Sequence, residues 1–119
     1  MRPFPLTESG SIHYDPKVIA DIAKAAVEEI DGVQLIAQDF KDTLLELAGV
    51  KKLSGVDVKI DHLRNAVSLE LKIRVRYGLN IPDTARQVQD IVRDRFEHLT
   101  DIDLRDVDVK VYGVERGKA

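Results

Sequence analysis

A chain of 119 residues, 44% hydrophobic and 33% charged, is long enough to bury one core and too apolar to stay disordered. It contains no cysteine, which excludes a disulfide framework, a thiolate metal site and thiol chemistry, and suits a reducing cytoplasm. The net charge of −3 gives no general pull toward nucleic acid or anionic lipid, and no apolar run approaches the roughly 20 residues that span a bilayer.

Residues 1–9 carry Pro3 and Pro5 without periodicity and are expected to form a flexible leader; they lack the apolar centre of a secretory signal. Gly10–Tyr14 (GSIHY) is predicted as a short strand. Asp15 before Pro16 is a strong helix start, a capping carboxylate followed by a residue whose missing N–H costs nothing there. Val18, Ile19, Ile22, Ala23, Ala26, Val27 and Ile30 then recur at helical spacing, until Asp31-Gly32 stops the helix. A short strand over Val33–Ala37 and a short amphipathic helix from Phe40 to Gly49 are predicted next.

Two runs of strict alternation follow. Val56, Val58 and Ile60 oppose Asp57, Lys59 and Asp61, while Val67, Leu69, Leu71, Ile73, Val75 and Tyr77 oppose Ser68, Glu70, Lys72, Arg74 and Arg76. Such a period of two means a sheet buried on one face only. His62–Asn65 is short enough for the turn between the two strands. Gly78 ends the long strand where a positive φ is expected, Asn80 and Pro82 start a long helix, and Asp83 favours its positive end. The inner face of that helix is predicted to carry Ile81, Ala85, Val88, Val92, Phe96 and Leu99; Val107, Val109 and Val111 form the last strand.

The order predicts an α+β fold in two layers, a mixed β-sheet with helices packed on one face. Any strand-helix-strand unit joining parallel neighbours should cross over right-handedly. The domain is expected over residues 10–114, followed by a flexible tail at 115–119.

Little in the chain points to catalysis, and an enzyme is not expected. His13, His62 and His98 stand apart, without the spacing of a metal site. No nucleophile elbow is present, and the glycines are spread singly rather than clustered to cradle a phosphate. Asp101, Asp103, Asp106 and Asp108 lack the glycine of a calcium loop and read as a solvated acidic edge. No catalytic residue, metal or cofactor is therefore expected. A nucleic-acid-binding α+β module is the alternative, resting on Lys72, Arg74, Arg76, Arg86, Arg93 and Arg95. It lacks stacking aromatics on the sheet and a GXXG loop, and its basic residues alternate with acids. The open sheet face, with Lys72, Arg74 and Arg76 from the long strand and Asp106, Asp108, Lys110 and Tyr112 from the last, is the expected contact surface. Lys72, Arg74, Arg76 and Tyr112 are its candidate partner-binding residues.

Five segments together resemble the alkaline shock protein family of bacterial envelope stress response proteins. They are Gly10–Tyr14, Val18–Ala23 (VIADIA) with Ile30–Val33 (IDGV), Lys52–Ile60 (KLSGVDVKI), Val75–Gln89 (VRYGLNIPDTARQVQ) and Val107–Val114 (VDVKVYGV). The fourth is the most specific, similar to the family pattern Y-G-x-N-I-P-x-x-A-x-x-V-Q; Gln34–Lys51 departs most from the family. The resemblance implies a cytoplasmic, non-enzymatic scaffold or adaptor in the envelope and alkaline stress response, working through protein partners or as a homo-oligomer. It also implies recruitment to the inner membrane face by a membrane-anchored partner; the composition itself leads us to expect neither direct insertion nor specific nucleic-acid binding.

Overall fold

A computed structural model describes residues 6–7, 10–36, 55–61, 63–64 and 66–116. The short helix expected over Phe40–Gly49, His62 of the turn, and the outermost residues of the leader and tail lie outside the described residues.

The elements are β1 (Leu6–Thr7), β2 (Gly10–Ser11), α1 (Pro16–Glu28), β3 (Val33–Leu35), β4 (Val56–Asp61), β5 (Ala66–Arg76), α2 (Ile81–Leu99) and β6 (Leu104–Glu115). β1 and β2 pair with each other as a small antiparallel ribbon, Leu6 opposite Ser11 and Thr7 opposite Gly10. The strand predicted over Gly10–Tyr14 stops at Ser11, and Ile12 is exposed.

β5 organises the main sheet. On one side it pairs in parallel with β6 along its length, from Val67 opposite Leu104 to Arg76 opposite Glu115. On its other side it pairs antiparallel with two strands placed end to end, β4 along its first half and β3 along its second. These two meet at Lys72, whose N–H donates to the Gly55 carbonyl and whose carbonyl accepts from the Ile36 N–H, both at 2.9 Å. Gly55 closes that joint at φ +71°, and a Cβ there would lie 2.9 Å from the Ile36 carbonyl oxygen. No other residue fits without moving the backbone. The sheet is thus mixed, and α2 is the crossover between its parallel pair.

Both helices lie on one face. α1 begins as its sequence requires: Asp15 Oδ1 accepts from the Lys17 N–H at 2.8 Å, with Pro16 in the first turn. It buries Ile19, Ala20, Ala23, Ala26 and Val27. Val18, assigned to that face by spacing, is exposed, because the small alanines let the helix sit close along a narrower stripe. α2 starts at Asn80, whose Oδ1 accepts from the Asp83 N–H at 3.0 Å, and buries Thr84, Val88, Val92 and Phe96. Ile81 and Leu99, predicted inward, lie at its two ends and are exposed. Thr84 takes an inward place because its hydroxyl donates to the Asn80 carbonyl at 2.7 Å, which satisfies it without water.

The core joins these stripes to Val67, Leu69, Leu71, Ile73 and Val75, all at most 1% exposed. Tyr77 does not continue that row. β5 ends at Arg76, Gly78 turns the chain at φ +101°, and Tyr77 is 66% exposed. A bidentate pair between Arg95 and Glu29, one bond of it 2.8 Å, fastens the end of α1 to α2.

Candidate functional site

The outer sheet face has two parts. Over the first half of β5, side chains pair across strands. Glu70 lies between Lys59 of β4 at 3.9 Å and Lys110 of β6 at 3.2 Å. Lys72 meets Asp57 at 3.4 Å and keeps only 13% of its side chain exposed. The Glu70 carboxylate holds the Lys110 ammonium above its ordinary pKa, mainly through their hydrogen bond. Asp103 pairs with Arg105 at 3.2 Å, and Asp106 accepts from the Ser68 hydroxyl at 3.5 Å. This half is a closed polar surface.

Over the second half the neighbours change. Arg74 faces Gln34 on β3 and Gly113 on β6, neither of which carries charge, and its side chain is exposed. Its Nε lies 3.3 Å from where a Cβ of Gly113 would stand, so the guanidinium rests on glycine backbone. Arg76 donates to Asp31 at 3.2 Å, at the turn after α1. Arg74, Arg76 and Arg116 line a cleft of about 400 Å³ together with Gln34 and the carboxylates Glu28, Asp31 and Glu115. The Arg116 guanidinium sits 5.4 Å from the Tyr77 ring centroid, within the range of a cation–π contact.

Of the four residues predicted to bind a partner, the structure brings Arg74 and Arg76 together. Lys72 is on the same strand but tied into the paired half. Tyr112 is exposed at a register shift: Ile73 faces Val111 and Arg74 faces Gly113, so Tyr112 is the extra residue of a bulge. Sequence reasoning missed Arg116 and Tyr77. The first was assigned to the tail and the second to the core, though the glycine after Tyr77 marks where the strand's alternation ceases. His13 bonds Ser11 at 2.9 Å and His98 contacts Asp94 at 3.3 Å; among the described residues no histidines and carboxylates gather as metal ligands would.

What the arrangement offers is planar cations and exposed tyrosines at one end of a sheet. Arginine forks of this kind suit carboxylate or phosphate groups on a partner, and tyrosine supplies apolar area with a polar tip.

A family model for the alkaline shock protein 23 family, described by its cell envelope-related function, matches residues 6–116. The chain belongs to the alkaline shock protein family. That assignment agrees with the resemblance carried by the five sequence segments. Among relatives, a protein named YqhY from Bacillus subtilis is 28% identical over 109 residues, covering 92% of this chain and 80% of its own. A stress response regulator gls24 homolog from Streptococcus pyogenes serotype M1 is 30% identical over 110 residues, 89% of this chain. The match spans only 59% of that streptococcal protein's length. No solved structure matches significantly. Among the described residues, no helix is long and apolar enough to cross a membrane.

Proposed function

We propose that this alkaline shock family protein is a non-enzymatic scaffold or adaptor of the envelope stress response, acting through protein–protein contacts. The observation that carries the reading is the open end of the sheet, where Arg74, Arg76 and Arg116 line one cleft and Arg116 stacks over the exposed Tyr77, with Tyr112 also exposed on β6. Arginine and tyrosine are, with tryptophan, the residues enriched where interfaces concentrate their energy. The envelope connection comes from the family, and the stress connection from the streptococcal relatives' name. The protein is cytoplasmic in this reading and reaches the inner face of the membrane through an anchored partner with an acidic docking segment.

The test is affinity capture from host membranes and lysate with the parent and with Arg74→Glu combined with Arg76→Glu. The core-facing Ile73 and Val75 are untouched, so circular dichroism should be unchanged while a specific partner is lost. Full recovery of the same partners by the charge-reversed protein would remove this end of the sheet from the function. A salt titration separates the nucleic-acid alternative, since phosphate contacts make log affinity fall linearly and steeply with log salt.

A further inference from the structure

Among the described residues β6 is an edge strand, and its free edge is where the structure says most beyond the arginine cleft. Residues of β5 alternate in the side they address. Lys72 and Arg76 direct their backbone bonds to Ile36, Gly55 and Gly32, whereas Val67 and Tyr77 donate to Asp103 and Glu115 at the two ends of β6. In the register given, Asp108 and Lys110 therefore turn their N–H and C=O groups toward β5. Val107, Val109 and Val111 turn theirs outward. α2 covers the start of this edge: Arg93 donates to the Leu104 and Arg105 carbonyls and Gln89 to the Val107 carbonyl at 3.0 Å. Past Val107, no described residue satisfies the outward groups of Val109 and Val111. Such an edge is a template for another strand.

We propose that this edge pairs antiparallel with β6 of a second copy of the chain, about a two-fold axis through Val109. Charge selects both the occupant and the register. On the outer face an alternating row runs from Lys59 through Glu70 to Lys110 and stops there, at the edge. A two-fold axis at Val109 sets Asp108 of the copy directly opposite Lys110, which continues the row with the next sign. Asp108 is exposed, and although its charge already acts on Lys110 of its own chain, no cation comes within ion-pair distance of it among the described residues. On the helix side the same axis sets Val109 against itself and Val107 against Val111, β-branched pairs that stabilise antiparallel neighbours. Val109 and Val111 are half-buried in the single chain and would be covered. An axis at Lys110 would oppose two lysines instead, and one at Val111 would leave Asp108 facing Val114. The Val107 carbonyl retains a lone pair for the copy's Val111 N–H beside its Gln89 bond. The bulge at Tyr112 ends the ladder.

This contact lies apart from the arginine cleft, so the two readings fail separately. The test is sedimentation velocity over a concentration series with Asp108→Lys, Lys110→Asp and their equimolar mixture. The parent should associate reversibly. Each single variant opposes like charges at two symmetric places and should lose association, while the mixture, in which every opposed pair is again of unlike sign, should recover it. Arg74→Glu with Arg76→Glu should associate as the parent does. A parent that stays monomeric throughout, single variants that associate undiminished, or a mixture that fails to recover would each overturn the proposal. Should Lys110→Asp fail to fold beside Glu70, cysteine pairing decides. The chain has no cysteine of its own, so mixed Asp108→Cys and Lys110→Cys proteins report only this contact. Opposed residues of a non-hydrogen-bonded pair have Cα atoms about 4.5 Å apart, inside the disulfide range. A mixed disulfide forming under mild oxidation supports the pairing, and its absence overturns it.

Discussion

The two halves of β5 read alike and behave differently. Both bury alternate aliphatic residues completely, and both present charged residues outward. Glu70 and Lys72 are enclosed in ion pairs, while Arg74 is left open and Arg76 reaches only an exposed aspartate at the end of α1. The cause lies off the strand. β4 brings Asp57 and Lys59 alongside the first half, but β3 offers Gln34 to the second, and β6 offers Gly113 where an acid could have stood. A charge on a sheet becomes structure or surface according to what its cross-strand neighbours supply.

The joints that bound these halves should show the largest effects. Gly55 closes the point where β3 and β4 meet, and Gly78 ends the open half; both have positive φ. A β-branched residue in such a conformation costs about 1–3 kcal/mol. Gly78→Val meets no atom within 4 Å and should show that backbone cost alone, as a lowered melting temperature with any partner binding retained by the folded fraction. Gly55→Val adds a clash with the Ile36 carbonyl and should be the more damaging of the two in urea titration. If Gly78→Val melts like the parent yet loses its partner, the turn is itself part of the binding site.

A smaller effect sharpens the comparison directly. Lys72→Met leaves Asp57 half-buried without its cation and should destabilise by about 1 kcal/mol, whereas Arg74→Met breaks no ion pair among the described residues and should fall within about 0.5 kcal/mol of the parent. Chemical denaturation of both variants measures the difference. Equal losses would mean that the two halves are not distinct in energy, whatever their exposure.

These outcomes bear on how far the sequence could be read. The period-two runs revealed the sheet and its single buried face, and Asp15 and Asn80 marked both helix starts, because those signals are local. The sharing of one edge of β5 by β3 and β4 was hidden, since it depends on where the chain returns after Ile36. Thr84 escaped because a polar residue enters a core only through a hydrogen bond that composition cannot show. Tyr77 and Leu99 were assigned inward by a period that outlasts the surface available to bury them. The candidate site was half legible: Arg74 and Arg76 were found on the strand, but Lys72 needed its neighbour Asp57 to explain it, and Arg116 needed the full length of β6.

The smallest effect concerns the helix layer above the open half. Arg95 of α2 holds Glu29 just past α1, two residues before the Asp31 that meets Arg76. The hydrogen bond from Arg95 is the main cause lowering the Glu29 pKa below its ordinary 4.5, with the guanidinium charge adding to it against some desolvation. A carboxylate with a depressed folded pKa binds fewer protons than it does in the unfolded chain. Stability therefore rises with pH across the interval between the two values. The contribution is complete above the unfolded pKa and disappears as the pH falls through the folded one. Glu29→Gln should remove this part of the acid dependence, so that the parent and variant stability curves converge below the ordinary glutamate range and separate above it. The separation should be small, because the pair is partly exposed to solvent and screened. Denaturation at a series of pH values reads it. Curves that stay parallel throughout would mean that Glu29 and Arg95 do not hold each other in solution, and that the end of α1 beside the arginine cleft is fastened by its apolar face alone.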